Sequence, residues 1–94
     1  MESVFTDKWN ATIRLTAERI KHIAKHMELY NKMHLIEETL QHPEIISSDE
    51  EQEGIWYYQR YLREENLFFI IVVKRTESEG FIVTIFKSKR LKQK

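Results

Sequence analysis

Apolar residues recur with helical spacing in the first half of the chain. Two stripes follow the i, i+3, i+4 and i+7 positions that share one face of an amphipathic helix. The first stripe comprises Ile20, Ile23, Ala24 and Met27, and the second comprises Met33, Ile36 and Leu40. Thr16 precedes the first stripe and is a typical N-cap, because its hydroxyl can accept a hydrogen bond from a free backbone N–H. Pro43 follows the second stripe and disfavours helical backbone in the residue before it, so we predict two helices that end before residue 43.

The second half of the chain has the pattern and composition of β-strands. Residues 55–62 alternate in part and hold four aromatic side chains, which is typical of a strand. Residues 67–73 are continuously apolar and rich in β-branched residues, as expected of a central strand buried on both faces. Residues 81–86 predict a further strand, and shorter extended segments are predicted at 13–15 and 44–47.

The order of these elements predicts an α+β fold with two N-terminal helices packed on one face of a roughly four-stranded antiparallel sheet. Antiparallel pairing is expected because the connections between the strands are short. The chain has 94 residues with only two glycines and one proline, which leaves little room for a linker. We therefore predict a single domain over residues 1–94, with a core over about 13–90 and a basic C-terminal tail over 87–94.

The composition excludes several kinds of protein and site. The chain has no cysteine, which excludes disulfides, thiol nucleophiles and thiolate metal sites. The longest apolar run, Leu67 to Val73, is far shorter than the roughly 20 residues of a spanning helix, so no membrane association is expected. The first residues lack the apolar region of a signal peptide, and we expect a cytoplasmic protein without cofactors.

Charge is segregated along a chain whose formal net charge is zero. Residues 44–73 carry two basic and seven acidic side chains, and residues 74–94 carry seven basic and two acidic ones. The neutral total argues against tight non-specific binding to nucleic acid, whereas the basic segment permits a local phosphate-binding surface. Lys87, Lys89 and Arg90 are the candidates for such contacts, and a solvated C-terminal tail is the alternative.

Two histidines lie on the polar side of the first predicted helix. At 100° per residue, Arg19, His22 and His26 form a polar stripe away from the apolar one. Histidine exchanges protons near neutral pH, and two imidazoles beside a guanidinium suit acid–base cleavage of a phosphodiester. The same pattern fits two ordinary surface histidines. It also fits a zinc site, since i and i+4 histidines can ligate one metal, with His34, His42 or the acidic loop as third ligand.

Each long strand carries one polar side chain within an apolar set. These are Arg60, Lys74 and Thr84, and alternation would put Thr84 on one face with Ile82 and Phe86. Polar groups within a sheet face are costly unless they are paired or exposed at a cleft. Arg60 and Lys74 could bind a phosphate, and Tyr58 with its aromatic neighbours could stack RNA bases. Alternatively, the aromatic side chains form the core and the charges are solvated at strand ends.

Several short motifs occur in a characteristic order. They are Ile13-x-Leu15-Thr16-x-Glu18-Arg19, His22-Ile23-x-x-x-His26-x-Glu28, Ile36-Glu37-Glu38-Thr39-Leu40-x-x-Pro43-Glu44-Ile45-Ile46, Tyr57-Tyr58-x-Arg60, the strand Leu67 to Lys74, and Phe81-Ile82-Val83-Thr84-Ile85-Phe86. Over residues 13–90 this set resembles the BECR superfamily, named for barnase, EndoU, colicin tRNases and RelE. Its members are generally metal-independent RNA endonucleases, often toxins. The resemblance implies two N-terminal helices on a four-stranded antiparallel sheet.

The resemblance also implies roles for individual residues. His22 and His26 would act as acid and base, Arg60 and Lys74 would stabilise the phosphate, and Thr84 would add a hydroxyl contact. Arg19, Tyr58, Lys87, Lys89 and Arg90 complete the expected RNA-binding set. The expected partners are RNA, such as tRNA or ribosome-bound mRNA, and an antitoxin protein. The chain departs from the family pattern in having Met27 where proline is usual and Phe86 where tyrosine is common.

Two functions follow from these observations. The first is an RNA endonuclease of toxin type, in which a histidine takes the proton from a ribose 2′-OH that attacks the adjacent phosphate. The second is a non-catalytic interaction module that binds a partner through a sheet edge or through the basic C-terminal surface.

Overall fold

The computed structural model describes residues 2–92, in which two α-helices and six strands form one α+β unit. In chain order the elements are β1 (Ser3–Thr6), β2 (Thr12–Leu15), α1 (Ala17–Ala24), a 3-10 turn (Tyr30–Lys32), α2 (Met33–Gln41), β3 (Ile45–Ser48), β4 (Ile55–Leu62), β5 (Leu67–Arg75) and β6 (Glu79–Ser88). The two predicted helices and the three long predicted strands are therefore present. No helix within the described part of the chain is long and apolar enough to cross a membrane.

All six strands belong to one mixed sheet in the order β1-β2-β6-β5-β4-β3. Its pairs are antiparallel except β2 and β6, which run parallel. The prediction of a four-stranded, wholly antiparallel sheet was wrong in both respects. β1 has only four residues of alternating half-buried and exposed side chains, so its pattern does not stand out. The parallel pair joins segments more than 60 residues apart, and no local pattern specifies such a pairing.

Both helices pack on one face of the sheet, as predicted, and this side is called the helix face. Ile23 of α1, together with Ile36 and Leu40 of α2, is fully buried there. The strand residues of the same core are Ile13, Leu15, Tyr58, Phe69, Ile71, Val73, Ile82 and Ile85. The opposite side, called the open face, carries a second apolar cluster of strand residues centred on Tyr57, Ile70 and Val72. β5 contributes to both clusters, which confirms it as the doubly buried central strand.

The start of α1 follows the expected capping chemistry. Thr16 has extended backbone, and its hydroxyl accepts from the backbone N–H of Arg19 at 3.2 Å. Thr16 is the only residue between β2 and α1, so the position at which β2 ends determines where α1 begins.

A buried carboxylate connects the β1–β2 turn to the centre of the sheet. Asp7 is only 4% exposed, and its two oxygens accept from the backbone N–H groups of Trp9 and Ala11 and from the Tyr58 hydroxyl at 2.7 Å. Burial and the Asp7 carboxylate both raise the pKa of Tyr58, so the phenol stays a hydrogen-bond donor. The pair thus ties an edge of the sheet to its interior.

A glycine permits the parallel pairing of β2 with β6. Gly80 lies opposite Ile13. A Cβ at Gly80 would lie 2.9 Å from both Ile13 Cδ1 and Val73 Cγ1, which is closer than carbon atoms can pack. The absence of a side chain at Gly80 therefore lets Ile13 reach the core.

We predict that Gly80→Ala lowers the free energy of unfolding by about 1–3 kcal/mol, because the added methyl group overpacks the contact with Ile13 and Val73. Urea denaturation measures the change, with exposed Ser78→Ala as the matched control. Adding Ile13→Val, which removes the clashing Cδ1 atom, should recover part of the loss. An additive double mutant would contradict a clash at this position.

Candidate active site

The pairing of β2 with β6 is short and leaves most of one β6 edge without a strand. Partners of β2 extend only from Glu79 to Phe81, although β6 continues to Ser88. Within the described residues no strand pairs with β6 on this side beyond Phe81. α1 follows β2 immediately and contacts β6, so its side chains lie beside the unpaired edge.

Arg19 fixes which side of α1 faces that edge. Its guanidinium Nη1 donates to the Val83 carbonyl on β6 at 3.4 Å. Arg19 and His22 lie on α1, whereas His26 lies in the turn after the helix, which ends at Ala24; all three side chains are exposed. Arg19 therefore lies beside β6, and His22, three residues further along α1, lies on the same side of the helix.

A β-bulge changes the direction of side chains next to this contact. Val72 pairs with Thr84 and Val73 pairs with Ile82, so Val83 is the extra residue. Bulges occur next to active sites, where they redirect a side chain. Thr84 consequently lies on the open face, whereas Ile82 belongs to the core beneath the helices. The expectation that Ile82 and Thr84 share a face was wrong for this reason.

Two cations lie on the open face close to Thr84. Lys74 and Arg14 pair with Phe81 from β5 and β2, so their Cα atoms lie about 10 Å apart on either side of β6. The Lys74 ammonium donates to the Glu53 carbonyl at 2.9 Å, a contact that leaves its charge uncompensated. Arg14 instead pairs with Glu79 at 2.8 Å, and this carboxylate raises the pKa of Arg14.

Arg14 was not among the residues predicted from the sequence. The alternation of residues 12–15 does indicate that Arg14 points away from the core, because the apolar side chains on either side of it are buried. What the alternation could not show was the strand against which Arg14 lies. Arg14 is paired with both Glu79 and Glu2, so the positive charge available to a phosphodiester beside the β6 bulge comes from Arg19 and Lys74.

Arg60 is separated from this group. It pairs with Phe69, which belongs to the helix-face core, and its Nη1 donates to the His42 carbonyl at 2.6 Å. Lys74 lies on the opposite face, so the structure does not form the phosphate clamp of Arg60 and Lys74 that the sequence suggested.

The other predicted RNA contacts fall into two groups. Tyr58 is fully buried with its hydroxyl on Asp7, so its ring is not presented to RNA, which corrects the stacking role expected of it. Lys87 pairs with Phe69 on the helix face and forms an ion pair with Glu65. Lys89 and Arg90 are exposed where the chain leaves β6.

The C-terminal tail folds back over the other half of the open face. Lys92 exchanges backbone hydrogen bonds with the side chain of Gln59 on β4, and its ammonium lies 5.6 Å from the centre of the Tyr57 ring. The basic tail thereby reaches the acidic segment. The Tyr57 hydroxyl, two backbone N–H groups and the Lys92 charge all lower the pKa of Asp49. Asp49 in turn raises the pKa of Tyr57 to about 12.

A histidine metal site was the third interpretation of the sequence. Among residues 2–92, no group of three or more histidine, aspartate or glutamate side chains is arranged to hold a metal ion. His22 and His26 are exposed side chains, on α1 and in the turn after it.

Comparison with known proteins identifies one family. The model of a family described as phage-Barnase-EndoU-ColicinE5/D-RelE like nuclease2 matches residues 1–94, which is the whole chain. No curated protein and no solved structure is significantly similar to the chain.

We predict that Asp49→Asn makes the protein less sensitive to acid. The folded state lowers the pKa of Asp49, so the ionised carboxylate stabilises the fold above its unfolded pKa, and this contribution is lost as the pH falls through the folded pKa. The urea midpoint should therefore drop less between pH 6 and pH 3 in Asp49→Asn than in the wild type. Glu51→Gln is the matched control, and an unchanged pH dependence in Asp49→Asn would contradict the role of this carboxylate.

Proposed function

We propose that this chain, which belongs to the phage-Barnase-EndoU-ColicinE5/D-RelE like nuclease2 family, is a metal-independent RNA endonuclease of toxin type. Family membership supports nuclease activity in general. The observation that supports the location of the site is the hydrogen bond from Arg19 to the Val83 carbonyl, which joins α1, the helix that carries His22, to the β6 bulge.

The proposed reaction begins with one of two histidines, His22 on α1 or His26 in the turn after it. His22 or His26 takes the proton from a ribose 2′-OH, and the oxygen attacks the adjacent phosphorus. A proton from the other histidine goes to the departing 5′-oxygen as the P–O bond breaks. The products are a 2′,3′-cyclic phosphate and a 5′-hydroxyl end. The nucleophile is the 2′-OH, so the substrate is RNA and not DNA.

Arg19, Lys74 and Thr84 are proposed to hold the reacting phosphate. The contacts of Arg19 and Lys74 described above are to carbonyl oxygens, so their charges remain available to an anion. Charge that develops on the phosphate oxygens in the transition state is stabilised by donors that are already in place. Thr84 presents its hydroxyl on the same face as Lys74.

An antitoxin is the proposed protein partner, and an exposed edge of the sheet supports a place for it. β3 is the last strand of the sheet and has an unpaired outer edge within the described residues. Ile45 on β3 is 38% exposed, and nearby Trp9 is 53% exposed. An extended segment of the partner could add to this edge and cover both side chains.

We predict that cleavage of RNA survives EDTA and depends on His22 and His26. His22→Ala, His26→Ala and their double variant should lower kcat/KM by about 10²–10⁴-fold, the usual contribution of acid–base groups. Lys74→Ala and Thr84→Val should also lower it, because each removes a contact with the phosphate. Exposed His34 and Arg63 provide matched controls as alanine variants.

Three outcomes would contradict this assignment. Full cleavage by the double histidine variant excludes the proposed acid and base. Loss of cleavage in EDTA excludes the metal-independent reaction. A loss in Arg60→Ala as deep as that in Lys74→Ala would place the phosphate on the helix face, where Arg60 lies.

A further inference from the structure

The open face contains a buried amide that forms two of its three hydrogen bonds with the C-terminal tail, outside the sheet. Gln59 lies within β4 and is 0% exposed. Its Nε2 donates to the Lys92 carbonyl at 2.8 Å and to the Ser47 hydroxyl at 3.2 Å, and its Oε1 accepts from the Lys92 N–H at 2.7 Å. A buried amide is costly unless it is paired, and here a single tail residue supplies both the donor and an acceptor.

The same tail residue covers the neighbouring aromatic ring. Tyr57 precedes Gln59 by two positions and therefore lies on the same face of β4. The Lys92 ammonium lies 5.6 Å from the ring centre, and the ring is held by the bond from its hydroxyl to Asp49 at 2.5 Å. Lys92 therefore contacts both the amide of Gln59 and the neighbouring face of the Tyr57 ring.

We propose that Gln59 and Tyr57 form a nucleobase-binding subsite, and that Lys92 occupies this subsite in the free chain. The inference rests on the proposed function, because it concerns the RNA bound beside the cleavage site. Lys92 presents an N–H next to a C=O, and a base edge such as adenine N6–H with N7 presents the same pair to a glutamine amide. The ring of Tyr57 provides the stacking surface that single-stranded bases use.

The position of the subsite agrees with the position of the candidate active site. Tyr57 pairs with Val72, and Val72 pairs with Thr84, so all three lie in one row across the open face. Two strand spacings separate Tyr57 from Thr84, a distance of about 10 Å, which neighbouring nucleotides can span. A base at Gln59 would therefore belong to a nucleotide next to the cleaved phosphate.

Binding of a base requires the tail to leave, so the tail competes with RNA. If the tail served only to complete the fold, it would support RNA binding, and disruption of the tail would weaken that binding. Lys92→Pro separates these possibilities in the 94-residue chain, because it removes the N–H that donates to Gln59. Lys92→Ala is the matched variant that loses the charge over Tyr57 but keeps the backbone hydrogen bonds.

The test measures binding of fluorescein-labelled 2′-O-methyl oligonucleotides of adenine, uracil or cytosine by fluorescence anisotropy. These probes lack the attacking hydroxyl, so binding is measured without cleavage. We expect Lys92→Pro to bind its preferred probe at least about 10-fold more tightly than the wild type and Lys92→Ala to show less gain. We expect the base whose donor and acceptor fit the Gln59 amide to be preferred by about 5- to 150-fold, the range of one bidentate contact. Gln59→Leu and the double variant Gln59→Leu, Lys92→Pro should lose this preference.

Failure of the subsite and failure of the nuclease proposal give different results. Unchanged or weaker binding by Lys92→Pro, or a base preference that survives in folded Gln59→Leu, overturns the subsite. Gln59→Glu provides a second variant if Gln59→Leu does not fold, since a carboxylate lacks the N–H donor. A base preference that depends on Gln59, in a protein that cleaves no RNA, supports the subsite and refutes the nuclease proposal. Cleavage of RNA without a base preference that depends on Gln59 supports the nuclease proposal and refutes the subsite.

Discussion

The short parallel pairing of β2 with β6 is the constraint on which the rest of the molecule depends. It brings Ile13 against Gly80, where no side chain could be accommodated, and it ends at Phe81. Because β2 stops there, α1 begins beside the remaining edge of β6, and Arg19 can reach the Val83 carbonyl. A longer β2 would have paired with that edge, and α1 with Arg19 and His22 would have begun further from it.

The two faces of the sheet perform different tasks because of their polar side chains. On the helix face, two aromatic side chains of β4 contact polar groups from other elements. Tyr58 donates to Asp7. The Arg75 guanidinium of β5 lies 5.9 Å from the centre of the Trp56 ring and 5.4 Å from that of Trp9. On the open face, polar groups interrupt an apolar cluster around the β6 bulge and at Gln59. The proposed contacts of Lys74, Thr84 and Gln59 therefore lie on the side that no helix covers, whereas Arg19 and His22 reach the edge of β6 from α1.

The segregated charge of the chain is partly compensated within the fold. The tail brings Lys92 to the Asp49 region of the acidic segment, and Lys87 pairs with Glu65 of the same segment. Local compensation of this kind explains how a neutral protein can keep a few uncompensated cations at one place. Lys74 and Arg19 donate hydrogen bonds to carbonyl oxygens rather than to carboxylates, so their positive charges can still attract an anion.

The sequence by itself determined the elements that depend on local periodicity. The stripes of α1 and α2, the Thr16 cap and the doubly buried β5 all follow from spacing and composition, since the side chains concerned are neighbours along one element. Only the tertiary structure decided the parallel pairing, the separation of Arg60 from Lys74 and the return of the tail to Gln59. These features depend on register between distant strands. A period of two predicts that alternate residues share one face of the sheet, but only the contacts with the core decide which set faces the helices. The extra residue Val83 also reverses the alternation within β6.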